Sequence, residues 1–332
     1  MTSTHRIARR RALGTVGTLG ALAALAPVRA AFAQAAAERT TRFILPNATG
    51  SGVDAITRTA QQALAKALGT AVIVENQPGA GGIVGVQALT RAAPDGLTLS
   101  VVSNNVVIFP SVYKSLPFDL TADVTPIAIC GYTPIVLVAN AKVPAGNSRE
   151  FVALLKGKPG ELNYGSGGNG TILHLATEMF LDEAGVKATH VPYKGVGPMV
   201  TDLIGGQIQF ATAALPSVQP HLKTGALKAI GVGTAQRVPA APEIPTFAEQ
   251  GLPGYVVEAW FAVLGPKGLA PAEVRRINAA VVAAFADPAV KDGMAKMGNV
   301  INVSMPEQAQ SFFRAELQKY AQLVKKVGLE PQ

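Results

Sequence analysis

Arg42-Phe43-Ile44-Leu45-Pro46-Asn47-Ala48-Thr49-Gly50-Ser51-Gly52-Val53-Asp54 passes from an apolar run, through a turn-forming loop, into a helical pattern. Arg42–Leu45 reads as a strand and Asn47–Gly52 as a turn. From Asp54 the apolar positions Ile56, Ala60, Ala63, Leu64 and Ala67 fall on one helical face, and Gly69 stops the helix. Val72–Val74 is β-branched and reads as a second strand. Asn76–Gly82 is a loop feeding a helix over Ile83–Ala92, and Pro94-Asp95-Gly96 turns the chain into a strand at Leu97–Val102. Strand, helix, strand, helix, strand requires parallel β-α-β crossovers, so the class is α/β.

The alternation continues outward. Ile135–Ala139 reads as a strand, Ser148–Lys156 as a helix and Leu162–Tyr164 as a short strand. Gly165–Gly170 is a glycine loop and Ile172–Ala184 a helix. A further helix ends near Gly205-Gly206, followed by strands at Ile208–Thr212 and Leu227–Val232. The tail is helical over Pro271–Phe285, Pro288–Met297 and Pro306–Val327, each with Pro in its first turn.

Composition narrows the function. Of 332 residues only 15% are charged and 48% are apolar, which excludes a disordered chain. The single cysteine, Cys130, excludes an internal disulfide framework and a cysteine zinc cluster, and four histidines without an HExxH pair give no metal motif. The net charge of +8 suggests nucleic acid, but Arg6, Arg9, Arg10, Arg11 and Arg29 sit in a segment with signal-peptide anatomy. A basic start, an uncharged stretch from Ala12 to Val28, and Ala31-Phe32-Ala33 place cleavage after Ala33, by a route resembling twin-arginine export. Without those five arginines, 24 basic residues face 21 acidic ones, and the nucleic-acid signal disappears. Two later uncharged stretches, Val124–Ala141 and Leu203–Pro220, are broken by Pro and Gly and suit buried strands and turns better than a membrane span.

Several motifs offer chemistry and then fail. Gly165-Ser166-Gly167-Gly168-Asn169-Gly170 fits GxGxxG, yet the strand after it, Ala188-Thr189-His190-Val191, ends without the carboxylate that holds a ribose. Ser111-Val112-Tyr113-Lys114, Ser103-Asn104-Asn105 and Lys223-Thr224-Gly225 mimic the penicillin-recognising set in the wrong order, with Ser111 read in a loop after Pro110. No GxSxG elbow or Walker A loop occurs. His174 falls in the first turn of a helix, where a structural hydrogen bond is the expected role. What remains is a pair of loops, Asn47–Gly52 and Gly165–Thr171, each delivering a strand to a helix N-terminus. Such termini offer unpaired amides and partial positive charge, suited to a carboxylate held between two closing lobes.

The chain also resembles a known family. Pro46–Asp54, Glu75–Gly82, Ala93–Gly96, Leu116–Asp119, Val191-Pro192-Tyr193-Lys194-Gly195, Leu203–Gln207, Leu215-Pro216-Ser217 and Ala240–Thr246 together look like the Bug family, the TctC-like receptors of tripartite tricarboxylate transporters. The resemblance implies a two-lobed, flytrap-like (type II-like) periplasmic-binding-protein fold with a β-α-β sheet in each lobe. It implies a non-enzymatic, monomeric protein without cofactor or metal, capturing a small organic acid. Membrane transporter subunits, or alternatively a sensor kinase, would be its partners; an exported hydrolase on the same fold is the other alternative. Thr40–Leu137 and Ala262–Gln332 are expected to form one lobe, and Val138–Phe261 the other. By motif position the ligand residues would be Pro46, Asn47, Ala48, Thr49, Gly50, Ser51 and Gly52 on one side, with Ser166, Gly168, Asn169, Gly170 and Thr171 on the other. Asn104, Tyr193, Thr212 and Ala213 complete the expected lining, with Thr171 singled out as a direct carboxylate ligand; Asp54 and His174 are structural residues beside the site. Relatives carry an aromatic residue and Pro where this chain has Asn47 and Ala48, Thr in place of Val53, and Asp in place of Ala213. The last of these argues against an amino-acid ligand.

Overall fold

Strand β1 (Thr40–Leu45) lies between β2 (Ala71–Asn76) and β3 (Thr98–Ser103), parallel to both, as the opening crossovers require. The computed structural model describes residues 39–329 and 331; the segment that reads as a signal peptide, residues 1–33, lies outside them. Helix α1 (Gly52–Leu68) joins β1 to β2, and α2 (Ile83–Thr90) leads to β3. Then α3 (Asn105–Val112), unexpected from sequence, carries Pro110 inside it, so Ser111 sits in a helical turn rather than a loop.

Next comes β4 (Val124–Asn140), on which the architecture turns. Pro126, Gly131 and Pro134 interrupt the uncharged run locally, but it forms a single strand that absorbs them with register shifts between Pro126 and Ala128 and between Ile129 and Gly131. Helix α4 (Ser148–Gly157), β5 (Asn163–Ser166), α5 (Ile172–Ala184), β6 (Thr189–Pro192), α6 (Val196–Gly205), β7 (Phe210–Ala214), α7 (Leu215–Lys223) and β8 (Leu227–Val232) follow. The chain returns through β9 (Glu258–Pro266) and closes with α8 (Pro271–Ala286), α9 (Pro288–Lys296), β10 (Val300–Ile301) and α10 (Pro306–Lys326).

The strand order is β2-β1-β3-β9-β4-β7-β5-β6, with β8 and β10 also on β4. Up to Pro134, β4 pairs antiparallel with β9; from Ile135 it pairs with β7. The two sheets therefore share one strand, and hydrogen bonding runs through it. Each sheet has its own core. Phe43, Leu45, Ile56, Leu64, Ile277 and Val281 fill the first under α1 and α8; Val136, Val138, Met199, Leu203 and Ala211 fill one face of the second. A third cluster, with Phe109, Phe151, Phe180, Trp260 and Phe313, joins the elements of both sheets. Among the described residues no helix is long and apolar enough to cross a membrane.

Candidate functional site

Where the two sheets meet, a cavity of about 620 Å³ opens between the carboxyl ends of β1 and β5. Its first wall is the loop from Pro46 into α1. Ser51 caps that helix, accepting from the Asp54 amide at 3.2 Å. Asp54 is 4% exposed and accepts three further hydrogen bonds, from the Gly50 amide (3.0 Å), the Arg58 guanidinium (2.8 Å) and the Asn76 carboxamide (3.0 Å). Asn76 also donates to the Asn47 carbonyl at 3.1 Å. The loop is thus fastened from behind, and the amides of Gly52 and Val53 have no acceptor among the described residues.

The second wall is the glycine loop ahead of α5, and its amides are mostly spoken for. The Gly168 amide donates to Ser166 Oγ at 3.2 Å and the Gly170 amide to His174 Nδ1 at 3.1 Å. The Ile172 amide donates to Asn105 Oδ1 at 2.8 Å, leaving Leu173 as the donor of the first helical turn with no acceptor among the described residues. Thr171 Oγ1 accepts from the His174 amide at 3.3 Å and gives its proton to the Gly168 carbonyl at 2.9 Å. The hydroxyl expected to reach a carboxylate is a helix cap with its only proton committed.

Behind this loop the His174 and His190 rings stack at 3.8 Å, with the Tyr164 ring 4.8 Å from His190 and 6.2 Å from His174. Burial, with a smaller push from His190, holds His174 down at about 3; burial alone holds His190 at about 4. Both are neutral at ordinary pH. His174 then keeps Nδ1 as an acceptor for the Gly170 amide and turns its protonated Nε2 toward Glu178. Glu178 is also the acceptor of the Tyr164 hydroxyl, whose ionisation is pushed far up by burial and then by that carboxylate.

A third wall comes from Pro192–Val196, between β6 and α6. Gly195 has φ of +120°, and a Cβ there would lie 2.7 Å from Ala48 Cβ, so glycine lets the two walls meet. Pro78–Gly82 forms the fourth; Ala80, at φ +45°, is the only non-glycine residue with positive φ among the described residues. The Tyr113 hydroxyl links the Ala80 and Asn169 carbonyls, each at 3.2 Å. The floor is Thr133, Ile135, Ala214, Ala259, Trp260 and Phe261. Trp260 donates its indole N–H away from the cavity to Glu316 at 2.7 Å.

Of the residues expected from sequence, Pro46, Asn47, Ala48, Ser51, Gly52, Gly168, Asn169, Thr171 and Tyr193 line the cavity. The others do not. Thr49 and Gly50 are exposed on the outer side of their loop. Asn104 is turned to Tyr320 (2.6 Å) and the Glu258 carbonyl, while its neighbours Ser103 and Asn105 reach the cavity. Ser166 is buried against His190 at 2.7 Å and Gly170 against Val112. Thr212 bonds the Leu173 carbonyl at 2.6 Å, and Ala213 packs into the second core, so the lining residue of β7 is Ala214, one position on. Sequence reasoning missed Pro78–Gly82 and Lys194 as lining, although both lie inside motifs it had quoted.

The model described as the tripartite tricarboxylate transporter family receptor, TctC, matches residues 56–329. The chain belongs to this family. BugT of Bordetella pertussis is 33% identical over 292 residues, covering 87% of this chain and 90% of BugT. The periplasmic binding protein BugD superposes with a TM-score of 0.85 at 29% identity, covering 89% of this chain and 99% of BugD. A Rhodopseudomonas palustris protein solved with adipate gives 0.85 at 27% identity, covering 89% and 99%. MatC from the same organism, solved with malate, gives 0.81 at 28%, covering 86% and 99%. The fold of this TctC receptor is accordingly the two-lobed one of periplasmic binding proteins.

Proposed function

We propose that this TctC receptor captures a small organic acid in the cavity between its lobes, as an exported binding protein that delivers it to a membrane transporter. The observation that carries the reading is the sign of charge. Among the described residues, Lys194 is the single charged one on the cavity wall, and no carboxylate lines it. The unpartnered amides of Gly52, Val53 and Leu173, at the starts of α1 and α5, add donors suited to carboxylate oxygens. The apolar floor and a volume of about 620 Å³ suit an acid with a hydrocarbon or aromatic middle. The adipate and malate complexes of similar receptors support the same class.

The lobes are taken as Thr40–Leu137 with Ala262–Gln332, and Val138–Phe261, with hinges where β4 and β9 cross. The partner exchange of β4 between Pro134 and Ile135 favours a crossing slightly before Leu137. Calorimetry with ligand-stripped protein against adipate, malate, benzoate, lysine and glucose tests the function. At least one acid should bind, and Lys194→Gln should weaken it about three- to tenfold, the effect shrinking in high salt. Binding of lysine or glucose alone would reject the reading.

A further inference from the structure

Among the described residues, Asn47 is the one lining residue with a buried side-chain polar atom that has no hydrogen-bond partner. Its backbone is fixed, because its carbonyl accepts from Asn76, itself tied to Asp54 and Arg58. Its carboxamide oxygen is buried in the cavity wall without a hydrogen-bond partner. Its nitrogen also has no partner among the described residues. A buried, unpaired carbonyl oxygen is costly, and it stands in a wall shared with Pro46, Ala48, Gly52, Val53 and the helix-capping Ser51.

A carboxamide offers one acceptor and one two-proton donor side by side, whichever way the amide is turned. An ionised carboxylate can satisfy only the donor. The acceptor needs a hydrogen from the ligand. An ammonium group could supply one, but among the described residues the wall holds Lys194 and no carboxylate to balance a second cation. A hydroxyl supplies the hydrogen without charge. Building on the organic-acid reading above, we infer that Asn47 reads a hydroxyl on the ligand, so that this receptor selects hydroxy acids over the same acids without the hydroxyl. The carboxamide oxygen would accept from that hydroxyl while the amide nitrogen donates to a carboxylate oxygen beside it.

Matched pairs isolate the hydroxyl: malate against succinate, and mandelate against phenylacetate, titrated into ligand-stripped mature protein and into Asn47→Leu. Wild type should prefer the hydroxy acid of the accepted pair by about tenfold. In Asn47→Leu the preference should fall to about one while the deoxy acid still binds. Asn47→Ser, which restores a hydrogen-bonding group at the wall, should recover part of the preference and guards against a loop that Leu has merely disordered. Equal binding of both members by wild type, or an undiminished preference in Asn47→Leu, would overturn the assignment and leave the acid reading standing. No binding of either hydroxy acid would also overturn the assignment, while the acid reading is decided separately by the adipate and benzoate titrations above.

Discussion

Replacing Asp54 by Asn should separate the two things its carboxylate does. In the native loop it accepts from the Gly50 amide at 3.0 Å, from Arg58 at 2.8 Å and from Asn76 at 3.0 Å, at 4% exposure. An Asn side chain keeps one acceptor oxygen and turns an NH₂ group on at least one of those three donors. Hydrogen bonds to a buried charge contribute about 1.5–3 kcal/mol each. The Arg58 share is much smaller, because its side chain is 45% exposed and solvent screens the pair. The expected loss is about 2–3 kcal/mol of unfolding free energy, read by urea denaturation of the apo protein. The second effect falls on the site. Gly50, Ser51 and Gly52 lose their anchor, and re-ordering a loop residue on binding costs about 1–2 kcal/mol. The Kd for the preferred acid should therefore rise about tenfold or more. A stability loss with unchanged affinity would refute the claim that this loop presents the ligand's donors. Unchanged stability would refute the hydrogen-bond network itself.

Thr171→Val should cost about 1 kcal/mol of stability and leave acid affinity nearly constant, because the hydroxyl proton is committed to Gly168 and its lone pair to the His174 amide; paired denaturation and calorimetry would show it. The stacked histidines set a pH dependence. Their folded values, about 3 and about 4, lie below the ordinary 6.5, so the unfolded chain binds protons that the native state refuses. Their contribution to stability is complete above pH 6.5 and is lost as pH falls from there, toward about 4 for His190 and about 3 for His174, at up to about 1.4 kcal/mol per pH unit for each ring. His190 is only half-buried and contributes less than His174. Thermal melts across that window should flatten in His190→Gln.

The crossovers, the helical tail and the first loop could be read from residues because each depends on local pattern. Ser51 and Asp54 before an apolar helical face mark the start of α1, and Pro at the first turn marks each of the three tail helices. The length of β4 could not be read that way. Pro126 and Pro134 signal breaks locally, and only the pairing with β9 and β7 shows that a bulged strand accommodates them. Helix α3 was hidden by Pro110 in the same manner. At the site, alternation along β7 decides whether Ala213 or Ala214 faces the cavity, and a one-residue error in placing the strand exchanges core for lining. Thr171 shows a different limit. Residue type places a hydroxyl at a helix start, but whether its proton points to a ligand or to Gly168 depends on the fold of the glycine loop. Lys194 was legible only as part of a motif, since its place on the wall follows from Gly195 meeting Ala48 across the cavity.

The claim that the cavity holds an organic acid is tested most directly by native mass spectrometry of the mature chain purified without added ligand, with the released molecule identified. The expected result is a fraction of protein carrying one small adduct that dissociates as an organic anion, and that diminishes when Lys194→Glu reverses the one charge that the described residues place on the cavity wall. An adduct identified as a cation or a neutral sugar, or an organic anion retained undiminished by Lys194→Glu, would contradict the account.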